Sequence, residues 1–295
     1  MLFRSAKISD LVFLTGDLGF KALEPLRDAM GARFINAGVA EQNMVSLAAG
    51  MARSGLRPWA YSIAPFIYAR PFEQIRNDVC LHNLPVVLVG NGGGYGYGVM
   101  GATHHAIEDY GVMLSLPNMR AFIPAFDDDL RPIIGRLRMT TTPAYLRLGV
   151  SETPKDFVIP PYAPWRRLTE RGATGATILV VGPLVGGIVA ASRELPPDER
   201  PAIWLLTELP IVEMFDEFVR DVRESDRLVV VEEHVAQGGA GTSLAAHLLS
   251  CGIAPRRFSH LSARGYPSGL YGSQAFHRKE CGLDPASVLA AARQT

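Results

Sequence analysis

Two stretches concentrate side chains able to move protons. Glu41 lies in Phe34-Ile35-Asn36-Ala37-Gly38-Val39-Ala40-Glu41-Gln42-Asn43-Met44, which reads as a short strand, a glycine turn and the start of a helix running to about Ser54. Met44, Val45, Leu47, Ala48, Met51 and Ala52 give that helix an apolar face, and Gly55 fits its C-terminal cap. A carboxylate at a helix start is accounted for by the macrodipole alone. The second stretch, Thr103-His104-His105-Ala106-Ile107-Glu108-Asp109, packs two imidazoles and two carboxylates into seven residues. Adjacent histidines diverge from a chain, and no third His or Cys stands at ligand spacing, so the pattern argues against a metal site. Glu108 and Asp109 suit a helix N-terminus instead, leaving a histidine to face a pocket and shuttle protons near neutral pH.

Two further patterns bear on ligands. Gly92 to Gly101 contains a literal GxGxxG at Gly96-Tyr97-Gly98-Val99-Met100-Gly101. A dinucleotide fingerprint needs that turn directly between strand and helix, whereas His104 and His105 intervene here. A loop that lets backbone approach a ligand fits better. Phe66, Tyr68 and Phe72 interleave with Arg70, Glu73, Gln74 and Arg76, a pattern open to core packing or to a cofactor platform. There is no GxSxG elbow, Walker loop or HExxH.

The elements that must position these groups alternate. Strands are expected at Leu11–Thr15, near 59–62, at 85–89, 120–123 and 144–148, with helices to about Met30 and over 71–81, 107–116 and 128–138. Four prolines (Pro154, Pro160, Pro161, Pro164) mark residues 151–164 as an interdomain linker. Beyond it strands are expected at 177–181, 203–206, 228–232 and 257–260, with helices near 184–195, 239–250 and 285–293. This alternation implies an α/β fold of two domains with mostly parallel sheets, 1–150 and 165–295. The 295 residues are 48% hydrophobic with 29 basic and 29 acidic side chains, which disfavours a nucleic-acid or membrane-surface partner. Met1-Leu2-Phe3-Arg4 runs quickly into charge and lacks a signal-peptide core. The uncharged run 173–192 is divided by Gly182-Pro183 and Gly186-Gly187 and reads as a strand, turn and helix rather than a membrane span. Cys80, Cys251 and Cys281 have no CxxC spacing and are expected to be buried thiols in a reducing cytoplasm.

Taken together, Thr15-Gly16-Asp17-Leu18-Gly19, Gly38 to Met44, Arg70-Pro71-Phe72-Glu73-Gln74-Ile75-Arg76 and Gly101-Ala102-Thr103-His104-His105 through Glu108-Asp109 resemble transketolases in order and approximate spacing. Val230-Val231-Glu232-Glu233-His234 followed by Gly238-Gly239-Ala240-Gly241 resembles that family's C-terminal domain. The resemblance covers a thiamine-diphosphate pyrimidine-binding domain plus the C-terminal domain. The family's diphosphate- and Mg2+-holding GDG motif is missing from this sequence. The resemblance therefore implies the C-terminal subunit of a split transketolase. Its partner would be an N-terminal subunit supplying the diphosphate and Mg2+ contacts, in an α2β2 heterotetramer acting on sugars.

The resemblance also assigns roles. Glu41 matches the glutamate that hydrogen-bonds N1′ of the cofactor's aminopyrimidine and, when protonated, favours the imino tautomer that takes the thiazolium C2 proton. Phe66 matches the aromatic stacked on the pyrimidine, Tyr68 borders it, and Asp17 lies toward the thiazolium. His104 matches a histidine contacting substrate hydroxyls, while His105 falls where glutamine is usual and its role stays open. Met100 replaces the aspartate that reads the acceptor's C2 hydroxyl. Gly92 and Val150 fall where a phosphate-holding histidine and arginine are expected, with only Arg147 nearby. These departures imply an acceptor other than an ordinary pentose or tetrose phosphate. A 2-oxo-acid dehydrogenase β subunit shares the domain pair and the glutamate, and a noncatalytic assembly subunit is the remaining alternative.

Overall fold

The computed structural model describes residues 9–293, so the Met1-Leu2-Phe3-Arg4 start lies outside the described residues. Twelve strands run through the described chain in two sheets. They are β1 (Leu11–Thr15), β2 (Phe34–Asn36), β3 (Arg57–Ile63), β4 (Val87–Asn91), β5 (Arg120–Phe122), β6 (Ala144–Leu148), β7 (Trp165–Thr169), β8 (Thr177–Val181), β9 (Ala202–Leu206), β10 (Glu208–Leu209), β11 (Arg227–Val235) and β12 (Arg257–Ala263). The first sheet has the order β10-β5-β6-β4-β3-β1-β2 and the second β12-β11-β8-β9-β7. All pairings are parallel except those of β10 with β5 and β7 with β9. The interior strands are near-continuous apolar runs, such as Thr177-Ile178-Leu179-Val180-Val181, because helices cover both of their faces.

Two edge strands escape the expected pattern. β7 carries Arg166 and Arg167 among apolar residues. β10 is two residues long and stops at Pro210, too short to show alternation. It is nevertheless important, since it follows β9 and caps the first sheet with a strand from the second half of the chain. Glu208, 6% exposed, anchors this crossing by accepting hydrogen bonds from Arg120 (3.2 Å), Tyr162 (2.6 Å) and Arg136. Residues 151–164 form neither helix nor strand.

The 72–80 segment is helical but changes to π geometry over Ile75–Cys80. The helix at Gln274–Cys281 has no counterpart among the expected elements, since its apolar residues are sparse; Ser273 caps it through Phe276 N–H (3.2 Å). The 173–192 run resolves into β8, a tight turn and the helix Val185–Ser192, and no described helix is long and apolar enough to cross a membrane. The cysteines are free, but Cys251 is exposed at the end of the helix Ala240–Ser250 rather than buried.

The halves are also tied by charge. Arg166 on β7 donates to Asp129 (2.7 Å), and both side chains are nearly fully buried. Asp129 also accepts from the Ala125 and Phe126 amides, which fixes the turn before the helix Leu130–Leu137. Removing one member of such a pair leaves an uncompensated buried charge. Arg166→Met is therefore expected to lower unfolding stability by about 3 kcal/mol or more. A urea titration in which it costs less than about 1 kcal/mol, the worth of an exposed pair, would show the tie to be dispensable.

Candidate active site

The turn between β2 and the helix Glu41–Arg53 is built by Asn36. Its amide donates to Asp17 (2.8 Å), and its oxygen accepts from Gly38 N–H (3.0 Å). Gly38 adopts φ +70°, a left-handed conformation that glycine takes without strain. Glu41 emerges as the first helical residue, 5% exposed. Burying that carboxylate would be costly without a partner. Arg70, 45% exposed, donates to it at 2.6 Å. The Arg70 guanidinium carbon also lies 3.8 Å from the centroid of the Phe66 ring. Glu41 and Arg70, with Val39, Ala40, Gln42 and Asn43, line an open groove of about 380 Å³.

The remaining candidates divide around this groove. The His104 ring meets Phe66 edge-on at 5.3 Å and Tyr97 at 5.8 Å, and its Nδ1 pairs with the Thr103 hydroxyl at 2.9 Å. Tyr68 is buried in the same helix as Phe66 and donates to Glu108 (3.2 Å); burial and the Glu108 charge raise its pKa. Asp17 is exposed in a turn with φ +58° and reaches the site through Asn36. Its neighbour Gly16 borders Glu41, since a Cβ there would lie 3.8 Å from Glu41 Cγ and 3.7 Å from the Ser62 hydroxyl. Ser62 is fully buried and its hydroxyl has no hydrogen-bond partner. Met100 is 54% exposed on the turn Gly98–Met100. No group of three or more His, Cys, Asp or Glu side chains among the described residues could hold a metal ion.

His105 turns away from His104 and is 3% exposed. Its Nε2 lies 2.8 Å from the Gly98 carbonyl and its Nδ1 2.9 Å from the Tyr266 hydroxyl. The carbonyl can only accept, so Nε2 carries the proton and the tyrosine donates to Nδ1. His105 is thus a structural pin between the glycine loop and the second half of the chain, not a group on the substrate side. Tyr95 completes the joint, stacking on His277 at 4.8 Å and donating to the Gly265 carbonyl at 2.7 Å.

The glycine loop serves the same joint. Its glycines leave room for protein rather than for a ligand. A Cβ at Gly92 would sit 2.3 Å from the Tyr97 ring, and one at Gly94 2.6 Å from the Glu233 carboxyl carbon. The GxGxxG pattern forms a short turn at Gly98–Met100 and opens no helix. Arg147 is likewise committed elsewhere. Nearly fully buried, it donates to Asp109 (2.8 Å) and to the carbonyls of Ala106 (3.0 Å) and Glu233 (2.8 Å). Arg70 carries no site role in the sequence reading. The signal that could have placed it here is its position four residues after Phe66.

Burial holds both His105 and His277 below the ordinary imidazole pKa, against the Gly98 carbonyl and the Glu233 charge at His105 and the Glu280 and Glu233 charges at His277. Unfolding releases them to about 6.5. The unfolded chain then binds more protons, so this contribution to stability is full above that value and is lost as pH falls through the lowered folded values. Urea midpoints should therefore drop as the pH is taken from about 7.5 to about 5.5. His105→Gln, whose amide can donate to Gly98 and accept from Tyr266, should flatten that slope. An unchanged slope would show that His105 does not titrate with unfolding.

The doubly wound first sheet, with a buried glutamate at a helix start facing an aromatic platform, defines a pyrimidine-binding domain, and the family model of the transketolase pyrimidine-binding domain matches residues 6–155. The chain belongs to the transketolase family. One of the two subunits of an apulose-4-phosphate transketolase from Actinobacillus succinogenes is 31% identical over 290 residues, covering 95% of this chain and 90% of that protein. A 1-deoxy-D-xylulose-5-phosphate synthase from Pelotomaculum thermopropionicum is 31% identical over 268 residues, covering 88% of this chain and 41% of that protein. A solved split gene transketolase, described as an inactive beta4 tetramer, superposes with a TM-score of 0.81 at 27% identity, covering 99% of this chain and 94% of that one. Transketolase from Leishmania mexicana shares the fold, with a TM-score of 0.76 at 17% identity over 96% of this chain and 42% of that one.

Proposed function

We propose that this chain is the C-terminal subunit of a split, thiamine-diphosphate-dependent transketolase that moves a two-carbon ketol unit from a ketose to an aldehyde. The observation that carries the reading is the convergence of Glu41, Phe66 and His104 from three separate segments. The groove suits the cofactor's aminopyrimidine. A planar donor group, the Arg70 guanidinium, already fits between the Phe66 face and the Glu41 carboxylate. When bound, thiamine diphosphate supplies an electron sink for breaking and making the carbon–carbon bond.

The chain's own residues orient that chemistry. Glu41 holds and exchanges a proton at N1′ of the aminopyrimidine, in a setting dry enough to make the exchange directional. Phe66 supplies the stacking face, with Tyr68 and Glu108 fixing the helix Ala64–Tyr68 that presents it. Asp17 lies toward the thiazolium, and His104 directs a ring nitrogen to substrate hydroxyls. The partner chain holds the diphosphate and Mg2+, in an α2β2 assembly in the cytoplasm. The Actinobacillus relative, named as one subunit of its transketolase, and the solved split gene transketolase support a partner of that kind. Replacing Glu41 with Ala in the assembled enzyme should reduce turnover about 10²- to 10⁴-fold, as expected for a lost acid–base group. Full turnover by that variant would exclude the catalytic role.

The acceptor is a less charged or modified sugar. Met100 and Val150 are exposed apolar side chains, Tyr97 fills the space over Gly92, and Arg147 is consumed internally, so none of these positions offers a cation to a phosphate. Desolvating a phosphate dianion without charged partners is unfavourable. Ribose 5-phosphate is therefore expected to be a poor acceptor, at least about 10-fold below the best unphosphorylated aldehyde, a loss matching one charge-assisted hydrogen bond. Equal or better turnover with ribose 5-phosphate in a coupled assay would reject this acceptor class.

A further inference from the structure

Arg70 makes two contacts at once. Its Nη1 lies 2.6 Å from Glu41 Oε1, and its guanidinium carbon lies 3.8 Å above the centroid of Phe66. These are the hydrogen bond and the stacking face that the proposed function, on which this inference rests, gives to an aminopyrimidine ring. Guanidinium is planar, delocalised and rich in N–H donors, so it satisfies a carboxylate and an aromatic face in the way a flat heteroaromatic amine does. Two such groups cannot share one Phe66 face and one Glu41 oxygen.

We propose that Arg70 is a built-in occupant of the pyrimidine site, which caps Glu41 in the chain by itself and must swing out before a ring can enter. The surroundings permit that movement. Arg70 is 45% exposed, whereas Glu41 is 5% exposed, so the guanidinium leaves toward water and the carboxylate stays. The Arg70 backbone is held separately, its carbonyl accepting from the Gln42 side chain at 3.4 Å. The side chain can therefore turn while its Cα remains fixed. Until it does, Glu41 is paired, and a buried carboxylate without a ring does not stand uncompensated.

The occupant should act as a competitor. A half-exposed pair with an added cation–π contact is worth on the order of 3- to 10-fold in an equilibrium constant. The probe is 4-amino-5-hydroxymethyl-2-methylpyrimidine, the portion of the cofactor that this chain would face, titrated into the full chain and followed by NMR. Arg70→Ala should bind it on the order of 3- to 10-fold more tightly than the wild type. Arg70→Lys, which keeps the charge but loses the flat fork, should fall between them and serves if the Ala variant folds poorly. High salt should tighten binding to the wild type and leave Arg70→Ala unmoved, a response that a merely structural role would not give. In the assembled enzyme, Arg70→Ala should bind thiamine diphosphate with Mg2+ more tightly, as read by quenching of protein fluorescence. Equal or weaker binding of the pyrimidine by both variants would overturn the proposal. Full turnover by Glu41→Ala would instead bring down the functional reading alone, and the titration of the free chain would still decide the occupancy of the groove by Arg70.

Discussion

Three consecutive side chains on β11, those of Glu232, Glu233 and His234, hold the two sheets in one molecule. The constraint is elementary: a carboxylate taken out of water must have its oxygens satisfied by donors. Glu232, fully buried, collects the Tyr110 hydroxyl, the Ala240 and Gly241 amides (2.8 and 2.9 Å) and His260 (2.6 Å). Burial pushes its pKa up, but the hydrogen bonds from His260, Tyr110 and Gly241 outweigh this and hold it below the usual carboxylate range. Glu233 collects the Tyr95 amide (2.9 Å), Gln274 and Arg278. His234 stacks on Tyr110 at 3.8 Å and accepts from the Gly111 amide. Each of the three thus grips the first half of the chain, and the glycine loop is fixed because Gly94 has no side chain to hold Glu233 away. His104 follows that loop in the chain and meets Phe66 from its far end. A motif in the second domain therefore bears on a site in the first.

At the site itself the balance is different. Glu41 is buried at a helix start with one partner, and that partner is half in water. The Glu232 carboxylate is locked by four donors, while Glu41 is held by one that can leave. Such contrast separates a structural acid from one available for chemistry, and it depends on the Asn36–Gly38 turn that delivers Glu41 into a groove rather than into the core.

Much of this was legible from residue types and spacing. β8 spans the expected Thr177–Val181, and the helix beginning at Glu41 follows directly from the apolar spacing of Met44, Val45, Ala48 and Ala52. What stayed hidden were long-range substitutions of one partner for another. Nothing local in Gly92-Gly93-Gly94 distinguishes a loop that admits a ligand from one that admits Tyr97 and Glu233. His105 and His104 are indistinguishable as neighbours in the chain, and only the fold sends one to Tyr266 and the other to Phe66. Arg147 is a free cation by its sequence position and a spent one in the core. β10 was invisible because two residues carry no period.

That two-residue strand has a consequence for how the chain comes into being. The free edge of β5 is covered only by Glu208 and Leu209, and Tyr95 finds its stacking partner only at His277. A ribosome that has finished the parallel strands of the first sheet has therefore released a sheet with an open edge and a glycine loop with nothing to close upon. The first half of this protein is complete in sequence long before it is complete in structure, and during that interval a chaperone or a neighbouring nascent chain meets the edge that β10 will later seal.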